Sequence, residues 1–254
     1  ATSQGNVRRN RLSDFRNVRQ NGLIAMKLEN GERLIDVQAV REDDDVLLAT
    51  RKGRAIRFAV ADELRVFAGR TSTGVRGIRL AGDDEVISLS VLRHVEASAE
   101  ERVAYLKAAG AKRRSGEPEE GAEEDESAAE ITLSPERFAE LEAAEEFVLT
   151  VTAGGYGKRS SAFEYRVTAR GGQGITGIAL TRKNGGAAVA SFPVRDGDAL
   201  MLVTDAGRTI RIPVDDIRLA GRATQGVTLF RIEDDEHVTS VFPVVEDEAE
   251  GEGS

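Results

Sequence analysis

The sequence predicts an all-β fold, a β-propeller of about four blades. Three observations carry that expectation: a four-fold internal repeat, short alternating apolar runs, and a glycine at the same point of every repeat. The pattern Thr-x-x-Gly-x-x-x-Arg occurs as Thr2/Gly5/Arg9, Thr50/Gly53/Arg57, Thr152/Gly155/Arg159 and Thr204/Gly207/Arg211. A second signature follows each: Arg19-Gln-Asn-Gly22, Arg70-Thr-Ser-Thr-Gly74, Arg170-Gly-Gly-Gln-Gly174 and Arg222-Ala-Thr-Gln-Gly226. Six residues past its last glycine stands an aliphatic, namely Leu28, Leu80, Leu180 or Ile232. Setting aside one insertion and the tail leaves 193 residues, about 48 per repeat, within the period range of propeller blades. A β-sandwich built by duplication is the alternative.

The first repeat opens at Ala1-Thr2, which aligns with Ala49-Thr50, so nothing matches the strand Val46–Leu48. The expectation is a first blade entered midway, in a piece cut from a longer protein. In the second repeat Val46 to Thr50 is an apolar run, Arg51-Lys52-Gly53 a turn, and Arg54 to Val60 alternates. Ile56, Phe58 and Val60 then share one strand face and Arg57 takes the other. The glycine supplies the positive φ that a short hairpin loop demands. In the fourth repeat Ile210 and Ile212 oppose Thr209 and Arg211.

Successive Thr positions lie 48, 102 and 52 residues apart, which marks an insertion in the middle interval. The expected organisation is blades over 1–94, an acidic insertion over 95–146, blades over 147–245 and an acidic tail over 246–254. Within the insertion, Ser98-Ala-Glu-Glu101 is a capping box ahead of Val103 and Leu106. Ser134-Pro135 offers an N-cap and a first-turn proline, with Phe138 and Leu141 spaced for one face. Residues 113–129 have little to bury and are expected to be disordered.

Composition removes most chemistry. The 254 residues include no cysteine, so disulfides, thiolate metal sites and cysteine nucleophiles are excluded. Two histidines, His94 and His237, exclude a multi-histidine metal cage; both are expected at the solvated surface. No apolar run approaches the roughly 18 residues of a membrane span, and no signal-peptide pattern opens the chain, so the reading is a soluble, intracellular protein. Gly171-Gly172-Gln173-Gly174 lacks the Lys-Ser/Thr of a nucleotide loop. The acidic clusters at Glu42 to Asp45, Asp83 to Glu85 and Glu233 to Glu236 lack calcium-loop spacing, and Tyr105, Tyr156 and Tyr165 have no setting that makes a nucleophile.

The net charge of −9 averages unlike segments. Residues 95–146 carry −10 and the tail −5, which leaves the remainder at +6. Within the repeats, the stretches 2–28, 50–80, 152–180 and 204–232 hold 23 basic and 7 acidic residues. Blades set around an axis would place these cations at equivalent positions, a basic belt suited to a polyanion such as duplex DNA. A curved belt favours bending the duplex without reading bases. The candidate phosphate contacts are Arg19, Lys52, Arg54, Arg57, Arg70, Arg76, Arg79, Lys158, Arg159, Arg170, Arg211 and Arg222. The competing reading is a propeller scaffold whose basic rim docks an acidic protein. The −10 insertion and −5 tail could also occupy the belt as phosphate mimics.

Thr73-Gly-Val-Arg-Gly-Ile-Arg-Leu80, Gly155-Tyr-Gly-Lys-Arg159 and Gly221-Arg-Ala-Thr-Gln-Gly-Val227, with the acidic tail, resemble the C-terminal domain family of bacterial DNA gyrase A. The resemblance covers all but the insertion. It implies a β-pinwheel, a propeller-like disc of six strand-exchanged blades whose rim wraps DNA and presents a segment for ATP-dependent negative supercoiling. The family's basic box, Gln-Arg-Arg-Gly-Gly-Lys-Gly, is matched only by the degenerate Thr168-Ala-Arg-Gly-Gly-Gln-Gly174, so the box itself is expected before Ala1. The related domain of topoisomerase IV is the competing assignment. By the same resemblance this chain is a non-catalytic part of a type II topoisomerase. The catalytic tyrosine, Mg2+ and ATP then belong elsewhere in the holoenzyme, and this chain needs no cofactor. The implied partners are double-stranded DNA, the rest of gyrase A, and gyrase B in a heterotetramer, without a membrane, in the bacterial cytoplasm at the nucleoid.

Overall fold

In a computed structural model that describes residues 1–18, 20–114, 131–233 and 235–244, each Thr-x-x-Gly turn leads into a strand. The first leads into β1 (Asn6–Val7). The others join β2 (Asp44–Thr50) to β3 (Arg54–Ala59), β6 (Phe147–Thr152) to β7 (Tyr156–Ser161), and β10 (Ala199–Thr204) to β11 (Thr209–Pro213). The turn glycines have φ of 82°, 74°, 74° and 80° at Gly5, Gly53, Gly155 and Gly207, the left-handed region that disfavours a Cβ. The threonine is buried in every copy. In three copies its hydroxyl accepts from the backbone N–H four residues on, at Asn6, Arg54 and Arg208. β5 (Val86–Arg93), β9 (Ala188–Val194) and β13 (Val238–Val244) pair antiparallel with β2, β6 and β10.

The next strand of each sheet comes from the following repeat. β4 (Val75–Arg76) pairs with β1, β8 (Ile175–Thr176) with β3, and β12 (Val227–Thr228) with β7. The sheet orders are therefore β5-β2-β3-β8 and β9-β6-β7-β12, with β13-β10-β11 three-stranded. Each exchanged strand is secured at the turn glycine, whose carbonyl accepts two N–H groups: Gly5 from Gly77 and Ile78, Gly53 from Gly177 and Ile178, Gly155 from Leu229 and Phe230.

Sheets stack face to face, which buries both faces of the central strands. Leu48, Ile56 and Phe58 pack toward the first blade with Val7 and Ile78. Leu47, Ala55 and Leu92 pack toward the third with Val148, Ala162 and Tyr165. Leu149 and Val151 meet Leu200, Leu202 and Ile217 of the fourth. At roughly 1.5–3 kcal/mol per fully buried aliphatic or aromatic side chain, these seams hold the stack together. β9 lies against both β5 and β13, so the blades converge there and diverge at their opposite edges.

The insertion leaves β5 and returns to β6 through α2 (Ala99–Arg114) and α3 (Pro135–Ala144); a shorter helix, α1 (Val60–Glu63), follows β3. Both expected caps form: Ser98 Oγ accepts from Glu101 N at 3.1 Å and Ser134 Oγ from Arg137 N at 3.2 Å. Tyr105, Ala109 and Leu141 pack on Phe163 of the third blade. Arg113, at the head of the stretch expected to be disordered, instead belongs to α2 and pairs with Glu145. Residues 115–130, the tail from Glu246 and the candidate Arg19 lie outside the described residues.

Candidate nucleic-acid interface

After β3, β7 and β11 comes a short helix or 3-10 turn, at α1, Ala162–Glu164 and Val214–Asp216. From there the chain crosses to the preceding blade. Val66 bridges Arg9, Val167 bridges Arg57 and Leu219 bridges Arg159, all in parallel. It then turns through the second signature and returns as the exchanged strand. This crossing segment forms the diverging outer edge of the stack.

In three of its four copies the recurrent arginine of the first signature is turned inward, a correction to the sequence reading. Arg57 is 5% exposed. Its Nε donates to Asp45 at 2.7 Å, and its terminal nitrogens donate to the carbonyls of Ala162 and Arg93. Arg159 is 8% exposed and repeats the arrangement, donating to Ile217 O at 2.8 Å and Asp196 at 2.6 Å. Arg9 binds Val60 O, Leu64 O and Glu42. Each guanidinium thus clamps its blade to the start of the next. Lys158 is corrected likewise. It is fully buried and donates to Gly221 O at 2.6 Å, to Arg222 O and to the Thr224 hydroxyl. Burial pulls its ammonium down to about 7, with Glu164 opposing and Arg222 adding to the shift.

Among the described residues, the second-signature arginines Arg70, Arg170 and Arg222 are half-buried staples. Arg170 receives Glu63 on its backbone N–H and donates to Glu63 O and Arg76 O. Arg222 does the same with Glu164, Glu164 O and Thr176 O. Arg70 donates to Asp14 O at 2.6 Å. Arg54 donates to Gln173 O and Gly174 O, and Lys52 pairs with Asp83.

Arg76, Arg79 and Arg211 are exposed. So are three arginines that sequence reasoning missed: Arg65, Arg166 and Arg218, each following the short helix on the crossing segment. Their signal was present as Leu64-Arg65-Val66, Tyr165-Arg166-Val167 and Ile217-Arg218-Leu219, an arginine between two apolar residues four or five positions before the second signature. Arg8, also missed, donates to Ser72 O at 2.6 Å. Burial first, and then neighbouring Arg70, holds its guanidinium below the ordinary value.

His94 overturns the expectation of a solvated residue. Its Nδ1 lies 2.8 Å from the fully buried Asp45, the carboxylate that Arg57 also holds, and Nε2 lies 3.3 Å from Glu96. The bond to Asp45 raises its pKa, against some burial. A raised folded value means that the stabilisation is complete below the unfolded value of about 6.5 and is lost as pH rises through the folded one. The stability advantage of the wild type over His94→Gln is therefore expected to shrink as pH rises above about 6.5, read by denaturant unfolding. An advantage that grew with pH would reverse the assignment. His237, exposed beside Asp205, occupies a surface turn.

Comparison with known proteins follows this geometry blade by blade. A family model described as "DNA gyrase C-terminal domain, beta-propeller" matches residues 1–41, 44–93, 146–194 and 198–244. The chain is 62% identical to the DNA gyrase A protein of Granulibacter bethesdensis over 98% of its own length and 28% of that protein's. It is 46% identical to the corresponding gyrase A protein of Rickettsia bellii, over 99% and 27%. The chain thus spans little more than a quarter of these curated relatives. A solved structure of a DNA gyrase A C-terminal domain superposes with a TM-score of 0.67 at 20% identity, covering 96% of this chain and 64% of that one. The C-terminal domain of a DNA topoisomerase IV gives 0.70 at 20% identity, over 96% and 60%.

Proposed function

Since the chain belongs to the DNA gyrase A C-terminal domain family, we propose that it binds double-stranded DNA and wraps it around the outer edge of the blades. It would present that duplex for ATP-dependent negative supercoiling by a gyrase holoenzyme. The observation that carries this reading is the exposed arginine that recurs on each crossing segment at Arg65, Arg166 and Arg218. Arg76 and Arg79 flank the series on the first exchanged strand and just beyond it. Exposed guanidiniums at one repeated position suit a polyanionic backbone, and their binding to phosphates releases counterions without reading sequence. The half-buried Arg54, Arg70, Arg170 and Arg222 would shape the edge and add to its positive field.

On this reading the fragment is non-catalytic and holds no cofactor. Mg2+ and ATP would act elsewhere in a heterotetramer of gyrase A and gyrase B, in the bacterial cytoplasm at the nucleoid. The fold alone fits topoisomerase IV equally well, but the sequence relatives at 62% and 46% identity favour gyrase. The test is binding to random-sequence duplex across a salt series. Affinity is expected to fall linearly in log–log form with no preference among sequences. Indifference to duplex at low salt would leave the acidic-protein reading in its place.

A further inference from the structure

Where an exchanged strand joins its neighbour, the second-signature turn that leads into it rests on a cation supplied by the accepting strand. At the joint of β4 with β1, Arg8 donates to Ser72 O at 2.6 Å and to the Ser72 hydroxyl at 3.1 Å. At the joint of β8 with β3, Arg54 donates to Gln173 O at 3.3 Å and to Gly174 O. At the joint of β12 with β7 the cation is Lys158, whose Nζ donates to Gly221 O at 2.6 Å, to Arg222 O and to the Thr224 hydroxyl at 3.3 Å. Lys158 and Arg8 occupy one place in the repeat, six residues past the signature threonine, where Ile56 and Ile210 stand in the other two copies.

The third joint differs in kind. Arg8 and Arg54 are partly exposed, and a guanidinium keeps its charge at any working pH. Lys158 is fully buried, where an ammonium gives up its proton more readily. An ammonium has three protons to donate and a neutral amine two. All three are engaged here, and every acceptor lies on the turn, so losing one proton leaves an acceptor without its donor. The charged groups bearing on Lys158 are Glu164, at the end of the 3-10 turn after β7, and Arg222 on the second-signature turn. The same strand also holds the crossing segment that carries Arg218. Arg159 Nε donates to Ile217 O at 2.8 Å and Ser160 Oγ to Ala220 O at 2.8 Å. Of these three consecutive holding residues, Lys158, Arg159 and Ser160, only Lys158 can change its charge near neutral pH.

We infer that Lys158 is a positioning residue for the outer edge: its charged amine holds the 221–224 turn, and with it the Arg218 segment, in the form that receives DNA, without touching the duplex itself. The inference rests on the DNA reading above. Deprotonation frees one acceptor and removes a positive charge from beneath the edge, so duplex affinity falls as pH rises. By reciprocity, bound DNA holds the proton on Lys158.

Binding of random-sequence duplex by the 254-residue chain, at fixed ionic strength across a pH series, tests this. Wild-type affinity is expected to fall by about fivefold, the low end of the usual range for coupled sites, as pH rises through about 7. Lys158→Arg, which keeps the charge, should hold the low-pH affinity across the series. Lys158→Met should sit at the high-pH level throughout, and Lys158→Gln repeats that arm should the methionine variant fail to fold. His94 and His237 are present in every variant, so their titration cancels between the profiles. Duplex bound with pH profiles of the same shape in wild type and variants overturns the proposal and leaves the DNA reading standing. No duplex bound at any pH overturns both.

Discussion

Replacing Arg57 with alanine is expected to cost roughly 3–5 kcal/mol of unfolding free energy, the range found when one partner of a buried ion pair is removed. Asp45 is fully buried and would be left with His94 as its remaining close partner. Two carbonyls from different elements, Ala162 O at 2.8 Å and Arg93 O at 2.9 Å, would lose their donor as well. Lysine should not rescue, since a point ammonium cannot reach three divergent acceptors as the guanidinium fork does. Denaturant unfolding measures the effect. A loss below about 1 kcal/mol, the level of a surface pair, would show that Arg57 is not a clamp. Where the variant stays folded, its salt dependence of DNA binding should match the wild type.

The complementary substitution, Arg65→Gln with Arg166→Gln and Arg218→Gln, is expected to do the opposite. Each phosphate contact contributes about 0.9 to the slope of log affinity against log salt. The triple variant should therefore flatten that slope by nearly 3 and weaken binding evenly across sequences. Its unfolding midpoint should hardly move, because all three side chains are exposed. An unchanged slope in a folded triple variant would remove these arginines from the interface.

The contrast shows what was legible in the sequence. Repeat period, turn glycines and both helix caps of the insertion follow from local rules and appear in the structure. Strand alternation also put Arg57 correctly opposite Ile56 and Phe58. It could not say that the opposite face is buried too. In a stack of sheets that face meets the next blade, and a buried guanidinium with three acceptors satisfies it as well as water would. Exchanged strands were legible only through resemblance, because β3 pairs with residues about 120 positions away, Arg54 donating to Thr176 across 122. His94 was misread for the same reason: its partner Asp45 lies 49 residues back and carries no local signal.

Strand exchange also sets how the molecule comes apart. In most repeat proteins each unit folds on its own contacts plus those of its neighbours, and the ends fray one unit at a time. Here β4, β8 and β12 complete the sheet of the repeat before their own. Melting one repeat therefore strips a hydrogen-bonded edge from its predecessor, and the smallest cooperative unit spans two periods of the chain.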